Sequence, residues 1–210
     1  ALCLAAAGGR RDAVQLLCEA GADKDKAAHG GETPLFMAAQ RGRVEVVRTL
    51  VQAGAAKDLL GGRTGCATPL FAASHEGHLE VVQLLCEAIA DVDRARPGGA
   101  TPLIVASQEG HLEVARVLCE AGADKDKAKR EGETALFMAT RGGHLEVMRL
   151  LCQAGSDKNR LAQGTTPLCV AAQWGQLEAV QLLCDNGTDM DKPRLDGAAP
   201  LTLAAHLGHL

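Results

Sequence analysis

"CEAGADKDKA" stands at Cys18–Ala27 and again, without a gap, at Cys119–Ala128. A repeated decapeptide has two explanations. It is a duplicated chemical site, with Cys, Asp and Glu as ligands or catalysts, or a duplicated building unit in which the cysteine is core. The chain around the two copies decides between them.

The repeats belong to a longer register. A Thr-Pro-Leu triplet occurs at Thr33-Pro34-Leu35, Thr68-Pro69-Leu70, Thr101-Pro102-Leu103 and Thr166-Pro167-Leu168, with near copies at Thr134-Ala135-Leu136 and Ala199-Pro200-Leu201. The six starts are 35, 33, 33, 32 and 33 residues apart, and self-similarity at such a period is the signature of a repeat array. The opening string "ALCLAAAGGRRDAVQLLCEAG" (1–21) fits the same register, so units start near 1, 33, 68, 101, 134, 166 and 199. Cys18, Cys86, Cys119, Cys152 and Cys184 hold one place in their units, and Val51 fills it in the second.

Each unit has a physical plan. A Gly-bearing loop leads to Thr, whose hydroxyl can cap a helix. Pro at the first helical position lacks a donor the helix would leave unused anyway. About eight residues follow, ending near a Gly such as Gly42, which tolerates the left-handed backbone that closes a helix. A second segment such as "VEVVRTLVQAG" (44–54) carries apolar residues at helical spacing. Glu45, Glu80, Glu113, Glu146 and Glu178 fall in the first turn of the second helices, where the dipole favours negative charge. Helices this short are marginal alone and gain stability by stacking on neighbouring units.

Composition agrees. The chain is 47% apolar but 2% aromatic, with one Trp, three Phe and no Tyr, so the core is built of small and aliphatic side chains. A formal charge of −4 points to neither nucleic acid nor an anionic membrane surface. No apolar run approaches the roughly 18 residues of a membrane span, and there is no N-terminal signal pattern. The chain opens on Ala1 inside a patterned segment, and reads as a piece of a longer protein.

The unit resembles the ankyrin repeat: a β-turn finger and two antiparallel helices, with a Thr-Pro-Leu helix start and Gly-His-Leu-Glu between the helices. The resemblance covers essentially the whole chain. It implies an all-α, ankyrin-type solenoid of five full units with a partial unit at each end, whose fingers and first helices form a concave binding face. There are departures. The family's His after Thr-Pro-Leu is replaced by Phe36, Phe71, Ile104, Phe137, Cys169 and Thr202, so stacking there is expected to rely on apolar contact. Ala135 replaces Pro and Ala199 replaces Thr at two helix starts. The loop at 59–67 carries two extra residues, and the one at 160–165 is one short. Lys24, Lys57, Lys125 and Lys158 stand where the family carries an apolar residue, which predicts more solvated fingers.

Candidate chemistry yields to the repeat. Equivalent thiols on helices about 8–10 Å apart cannot easily share a zinc ion at about 2.3 Å, nor form disulfides that need Cα atoms within about 7 Å. The cysteines read as small hydrophobes in a reducing, intracellular and cytoplasmic setting. Cys3 with Cys18, and Cys169 with Cys184, are the pairs that could meet within a unit, and Cys66 in the long loop is the candidate reactive thiol. His78, His111, His144 and His209 recur in the inter-helix turn and read as structural. "HEGH" (75–78) lacks the spacing of a helical zinc motif, and "GGRTG" (61–65) lacks the end of a phosphate loop. The Asp and Lys of the "DKDK" runs read as solvated turn residues. No catalytic, cofactor or metal site is expected.

The positions that do not repeat carry the functional reading. Near the end of each first helix stand Gln40/Arg41, His75/Glu76, Gln108/Glu109, Arg141/Gly142, Gln173/Trp174 and His206/Leu207. Finger tips vary too, at His29, Pro97, Arg130, Glu131, Gln163 and Asp196. A constant frame with a variable stripe suits recognition. Arg41, His75, Glu76, Gln108, Glu109, Arg141, Gln173, Trp174 and His206 are the candidate partner-binding residues. The stripe mixes signs and lacks a basic run with interleaved aromatics, so a protein partner is expected rather than nucleic acid. The function read from the sequence is a non-enzymatic scaffold or adaptor. The alternative is a regulatory or targeting domain of a larger enzyme or channel.

Overall fold

A computed structural model describes residues 1–62 and 67–208. Cys66 and His209, singled out above, lie outside the described residues. The described chain forms six helix pairs and a last single helix. They are α1 (Leu2–Ala7) with α2 (Arg11–Glu19), α3 (Pro34–Gln40) with α4 (Val44–Gln52), α5 (Pro69–Glu76) with α6 (Leu79–Glu87), and α7 (Pro102–Glu109) with α8 (Leu112–Glu120). Then come α9 (Ala135–Gly142) with α10 (Leu145–Gln153), α11 (Pro167–Gln173) with α12 (Leu177–Asp185), and α13 (Pro200–His206). First helices pack on first helices from α1 to α13, and second helices on second from α2 to α12. The result is an all-helical solenoid two layers deep. The only β-bridges among the described residues are Gly61–Ala67 and Ala162–Thr165, each isolated.

Capping follows the sequence pattern. The Oγ1 of Thr33, Thr68, Thr101, Thr134 and Thr166 accepts the N–H three residues on, at 3.1–3.3 Å. Thr134 caps α9 although Pro is missing at Ala135. α13 forms behind Ala199 with no side-chain cap, starting on Pro200. Leu35, Leu70, Leu103, Leu136 and Leu168 are buried in one row, and Leu50, Leu85, Leu118, Leu151 and Leu183 in the row behind it. Each buried aliphatic side chain of this size contributes about 1.5–3 kcal/mol of hydrophobic stabilisation. Phe36, Phe71, Ile104, Phe137 and Cys169 are buried as well, so contact at the family's His position is apolar, whereas Thr202 on the last helix is exposed.

Hydrogen bonds between units come from elsewhere. Nε2–H of His78, His111 and His144 donates to the carbonyls of Gln40, His75 and Gln108, near the end of the preceding first helix, at 2.9–3.1 Å. Arg43 Nε does the same toward Ala7 at 3.3 Å. Each His ring lies against the turn glycine of the unit before it. A Cβ on Gly42, Gly77 or Gly110 would stand 2.5–2.8 Å from a ring atom, and all three glycines have φ near +70°. Glycine is needed there for its backbone and for the close approach.

Two expectations are corrected at the fingers. The "DKDK" acids are not merely solvated. Oδ1 of Asp25, Asp58, Asp93 and Asp126, and of Asn159, accepts the N–H of Ala56, Asp91, Asp124, Asp157 and Asp189 in the next unit, at 2.8–3.2 Å. The backbone donors that open each finger have no helix to serve them, and the preceding unit's side chain supplies the acceptor. Nor are Lys24, Lys57, Lys125 and Lys158 simply solvated: all four are half-buried. Lys57 Nζ donates to Ala88 O at 2.6 Å, and Lys158 Nζ to Ser156 O at 3.4 Å. A lysine stem can lie on the protein while its ammonium head, as in Lys57 and Lys158, reaches a carbonyl.

The seven described cysteines are free thiols. Cys3 Sγ lies 3.5 and 3.7 Å from the carbonyls of Lys26 and Glu32, and Cys169 Sγ 3.7 Å from that of Lys192. Both face a finger of the following unit, so the possible pairings with Cys18 and Cys184 give way to thiol–carbonyl contacts. Cys152 is buried, whereas Cys18, Cys86, Cys119 and Cys184 are half-buried against the core. Burial pushes the Cys86 thiol up to about 11, aided by the Glu87 charge, and burial also raises Cys3, Cys18, Cys119 and Cys152.

Candidate recognition face

The nine candidate residues occupy equivalent places at one end of the first helices. Arg41 follows α3. His75 and Glu76 close α5, Gln108 and Glu109 close α7, and Arg141 lies in the last turn of α9. Gln173 and Trp174 end α11, and His206 ends α13. Since each first helix packs on the next, the nine form a continuous row, and all are exposed. Trp174 is 65% exposed. The frame beneath them is the buried leucine row, so the variable side chains stand on rigid elements.

The row is not uniform in charge. Glu76 is met by His75 Nδ1 at 3.0 Å, and Glu109 Oε1 accepts from Gln108 Nε2 at 2.9 Å. Arg141 leans on Glu133, with Nη1 3.5 Å from Oε1. Glu133, which the sequence reading passed over, has a side chain only 9% exposed and draws on two fingers. Lys129 Nζ lies 2.9 Å from its Oε2, and Gln163 Nε2 donates to Oε1 at 2.8 Å. A buried carboxylate survives only with such partners. Its signal in the sequence is faint: Glu133 precedes the capping Thr, where other units carry Glu32, Ala67, Ala100, Thr165 and Ala198.

A second row, also missed, lies on the fingers. Arg96, Lys129 and Arg194 each stand five residues before the residue that opens a first helix. Arg96 sits over the Phe71 ring, 5.1 Å from its centroid, on the wall of a cleft of about 220 Å³ that Phe36, Gln40, His75 and Glu76 also line. Arg194 reaches Gln173 Oε1 at 3.5 Å and Asp196 Oδ2 at 3.4 Å. A larger apolar cavity of about 450 Å³ lies at the α11–α13 end, lined by Leu168, Leu177, Val180, Met190 and Leu201. Leu201 is exposed and Leu203 half-buried there. No group of three or more His, Cys, Asp or Glu among the described residues could hold a metal ion. None of the described helices is long and apolar enough to cross a membrane.

The chain matches the family profile described as ankyrin repeats (3 copies), over residues 1–60, 55–129 and 125–194. Among solved structures it is similar to the human ASB11 ankyrin repeat domain, with a TM-score of 0.84 and 26% sequence identity, covering 97% of this chain and 90% of that one. No curated protein matches the sequence.

Proposed function

Because the chain belongs to the ankyrin-repeat family, on the strength of matches that span 1–194, we propose that it is a non-catalytic protein-binding module, a scaffold or adaptor. It holds a partner on the concave face made by its fingers and first-helix ends. The observation that carries this reading is the contrast within each first helix. The buried face repeats Leu from unit to unit, while the exposed end bears Arg41, Glu76, Glu109, Arg141 and Trp174 on the same rigid frame.

The test compares the intact chain with one carrying Ala at Arg41, Glu76, Glu109, Arg141 and Trp174. All five are exposed, so the variant should fold with an unchanged circular-dichroism spectrum. A partner captured by the intact chain should be lost by the variant. A partner retained at equal affinity places recognition elsewhere.

A further inference from the structure

We propose that the end of this face built by α9, α11 and α13 takes a partner segment in which a carboxylate lies next to an aromatic or aliphatic side chain, the carboxylate meeting Arg141 and the apolar group lying on Trp174. The inference rests on the binding reading above and gives it a chemistry.

Arg141 is where charge is left over. Among the described residues Glu133 is the one carboxylate it touches, and the two closer donors, Lys129 at 2.9 Å and Gln163 at 2.8 Å, already occupy both Glu133 oxygens. The Arg141 contact is longer, 3.5 Å through Nη1 alone, and its side chain is 55% exposed. A guanidinium has five N–H donors in a planar fork. Glu133 therefore fixes the direction of Arg141 while leaving most of the fork open to a second carboxylate, the geometry arginine matches best. Trp174 supplies the apolar half. It ends the helix that packs beside α9 and exposes 65% of its surface. Exposed Trp is favoured among residues that anchor interfaces. Packed helices lie about 8–10 Å apart, and alternate residues of an extended peptide about 7 Å apart, so one short segment can reach both groups.

Charge sets the register. Toward the other end, the row carries Glu76 on α5 and Glu109 on α7, neither in an ion pair with Arg or Lys among the described residues, with Arg96 on the wall of the cleft that Glu76 lines. Glu109, and Glu76 in part offset by Arg96, make the middle of the face less favourable to an acidic segment than the α9–α13 end. Around α9–α13, Lys129, Arg141 and Arg194 face Glu133 and Asp196, and both of those acids are already paired.

The experiment is selection of a random, phage-displayed heptapeptide library on the full 210-residue chain. Synthetic copies of the selected peptides are then titrated while the emission of Trp174, the single Trp of a chain without Tyr, is followed. Recovered peptides should carry Asp or Glu two residues from an aromatic residue or Leu, and should shift the emission on binding. Replacing the peptide acid by its amide should weaken binding at least tenfold. Arg141→Gln should weaken the acid peptide to the same degree and remove the difference between acid and amide. Trp174→Phe should keep most of the affinity and Trp174→Ala should lose it. Calorimetry replaces fluorescence for these last two variants. Peptides without acids, acid peptides indifferent to Arg141→Gln, or a selection that recovers nothing would each overturn the proposal. If acid-free peptides still lose affinity on Trp174→Ala, the binding face stands and only its acidic chemistry falls. If binding ignores every substitution in the row, both fall.

Discussion

The junctions before α5, α7 and α9 and the junction between α9 and α11 solve the same problem differently. At the first three, His78, His111 and His144 press on the turn glycine of the preceding unit and donate to a carbonyl at the end of its first helix. At the fourth, Gln176 takes the histidine's place, and its Oε1 is buried without a hydrogen-bond partner among the described residues. A Cβ added to Gly143 would meet only Gln176 Nε2, at 3.5 Å, where one on Gly110 would meet His144 Nδ1 at 2.5 Å. The fourth junction is fastened at the opposite edge, where Gln163 reaches across fingers to Glu133. The lesson is that a polar tie can move from the inter-helix turn to the finger edge without changing the fold. Here it moves to the edge that presents Arg141.

The sharpest way to break this comparison is a pair of alanines. Gly110 and Gly143 share a left-handed backbone, with φ of +76° and +72°, so each Gly→Ala costs about 1 kcal/mol in backbone strain. Only Gly110→Ala also drives a methyl into the His144 ring and breaks its bond to Gln108, adding about 1–2 kcal/mol. Urea unfolding should show Gly110→Ala as the more damaging by that margin. Equal costs would mean that the ring and the glycine are neighbours without being a tie.

The reverse change sharpens the contrast. Gln176→His should restore the missing donor and remove a buried acceptor without a partner, stabilising the chain by about 0.5–1.5 kcal/mol. Amide exchange in α11 and α12 should slow more than in α5 and α6. A neutral or harmful substitution would show that the finger tie already satisfies this junction.

How far the sequence spoke for these features depends on where the partner atom lies. Thr caps and left-handed glycines were legible because donor, acceptor and backbone fall within a few residues. The histidines were legible as structural, since their period equals that of the units. The carbonyls they reach, 36–38 residues back, were not. The same distance hid the Asp ladder. Asp126 looks like any turn acid until Asp157 N–H, 31 residues on, is seen to donate to it at 2.8 Å. A clue was present, since Asp or Asn holds that place in six units, as Asp25, Asp58, Asp93, Asp126, Asn159 and Asp191. A solvated turn has no need of such constancy. The candidate row was legible by difference alone. Glu133 was not, because an acid that recurs only as Glu32, half-buried, makes no pattern.

A smaller effect separates the half-buried cysteine row from the exposed recognition row. Burial holds the Cys86 thiol at about 11 against an ordinary 9.0. The neutral thiol is the form the folded chain favours. Its contribution is therefore fully present below pH 9 and is lost between pH 9 and 11, as the unfolded chain ionises first. Unfolding midpoints in urea should fall across that window, and Cys86→Ala should flatten part of the fall. Alkylation of Cys86 should be slow at pH 8 for the same reason. A thiol that reacts at the rate of a free cysteine at pH 8 would place it outside the packed layer.

The least change is expected at Trp174, and that smallness is itself the test. Loss of a buried aromatic costs about 3–5 kcal/mol, whereas exposed positions usually stay within about 0.5 kcal/mol. At 65% exposure, Trp174 should fall near the second class. For a chain of this length, that shifts Tm by about 1–2 °C. The emission of the intact protein should be that of a largely hydrated indole and should be quenched readily by iodide or acrylamide. The neighbouring Cys169 and Ala172 on the same helix are buried, so a fall of many degrees in Trp174→Ala would mean that the ring covers this helix and serves packing. In that event, the partner-facing role passes to Arg141 and the finger cations alone, and the difference between the two edges of the α9–α11 junction becomes one of stability rather than recognition.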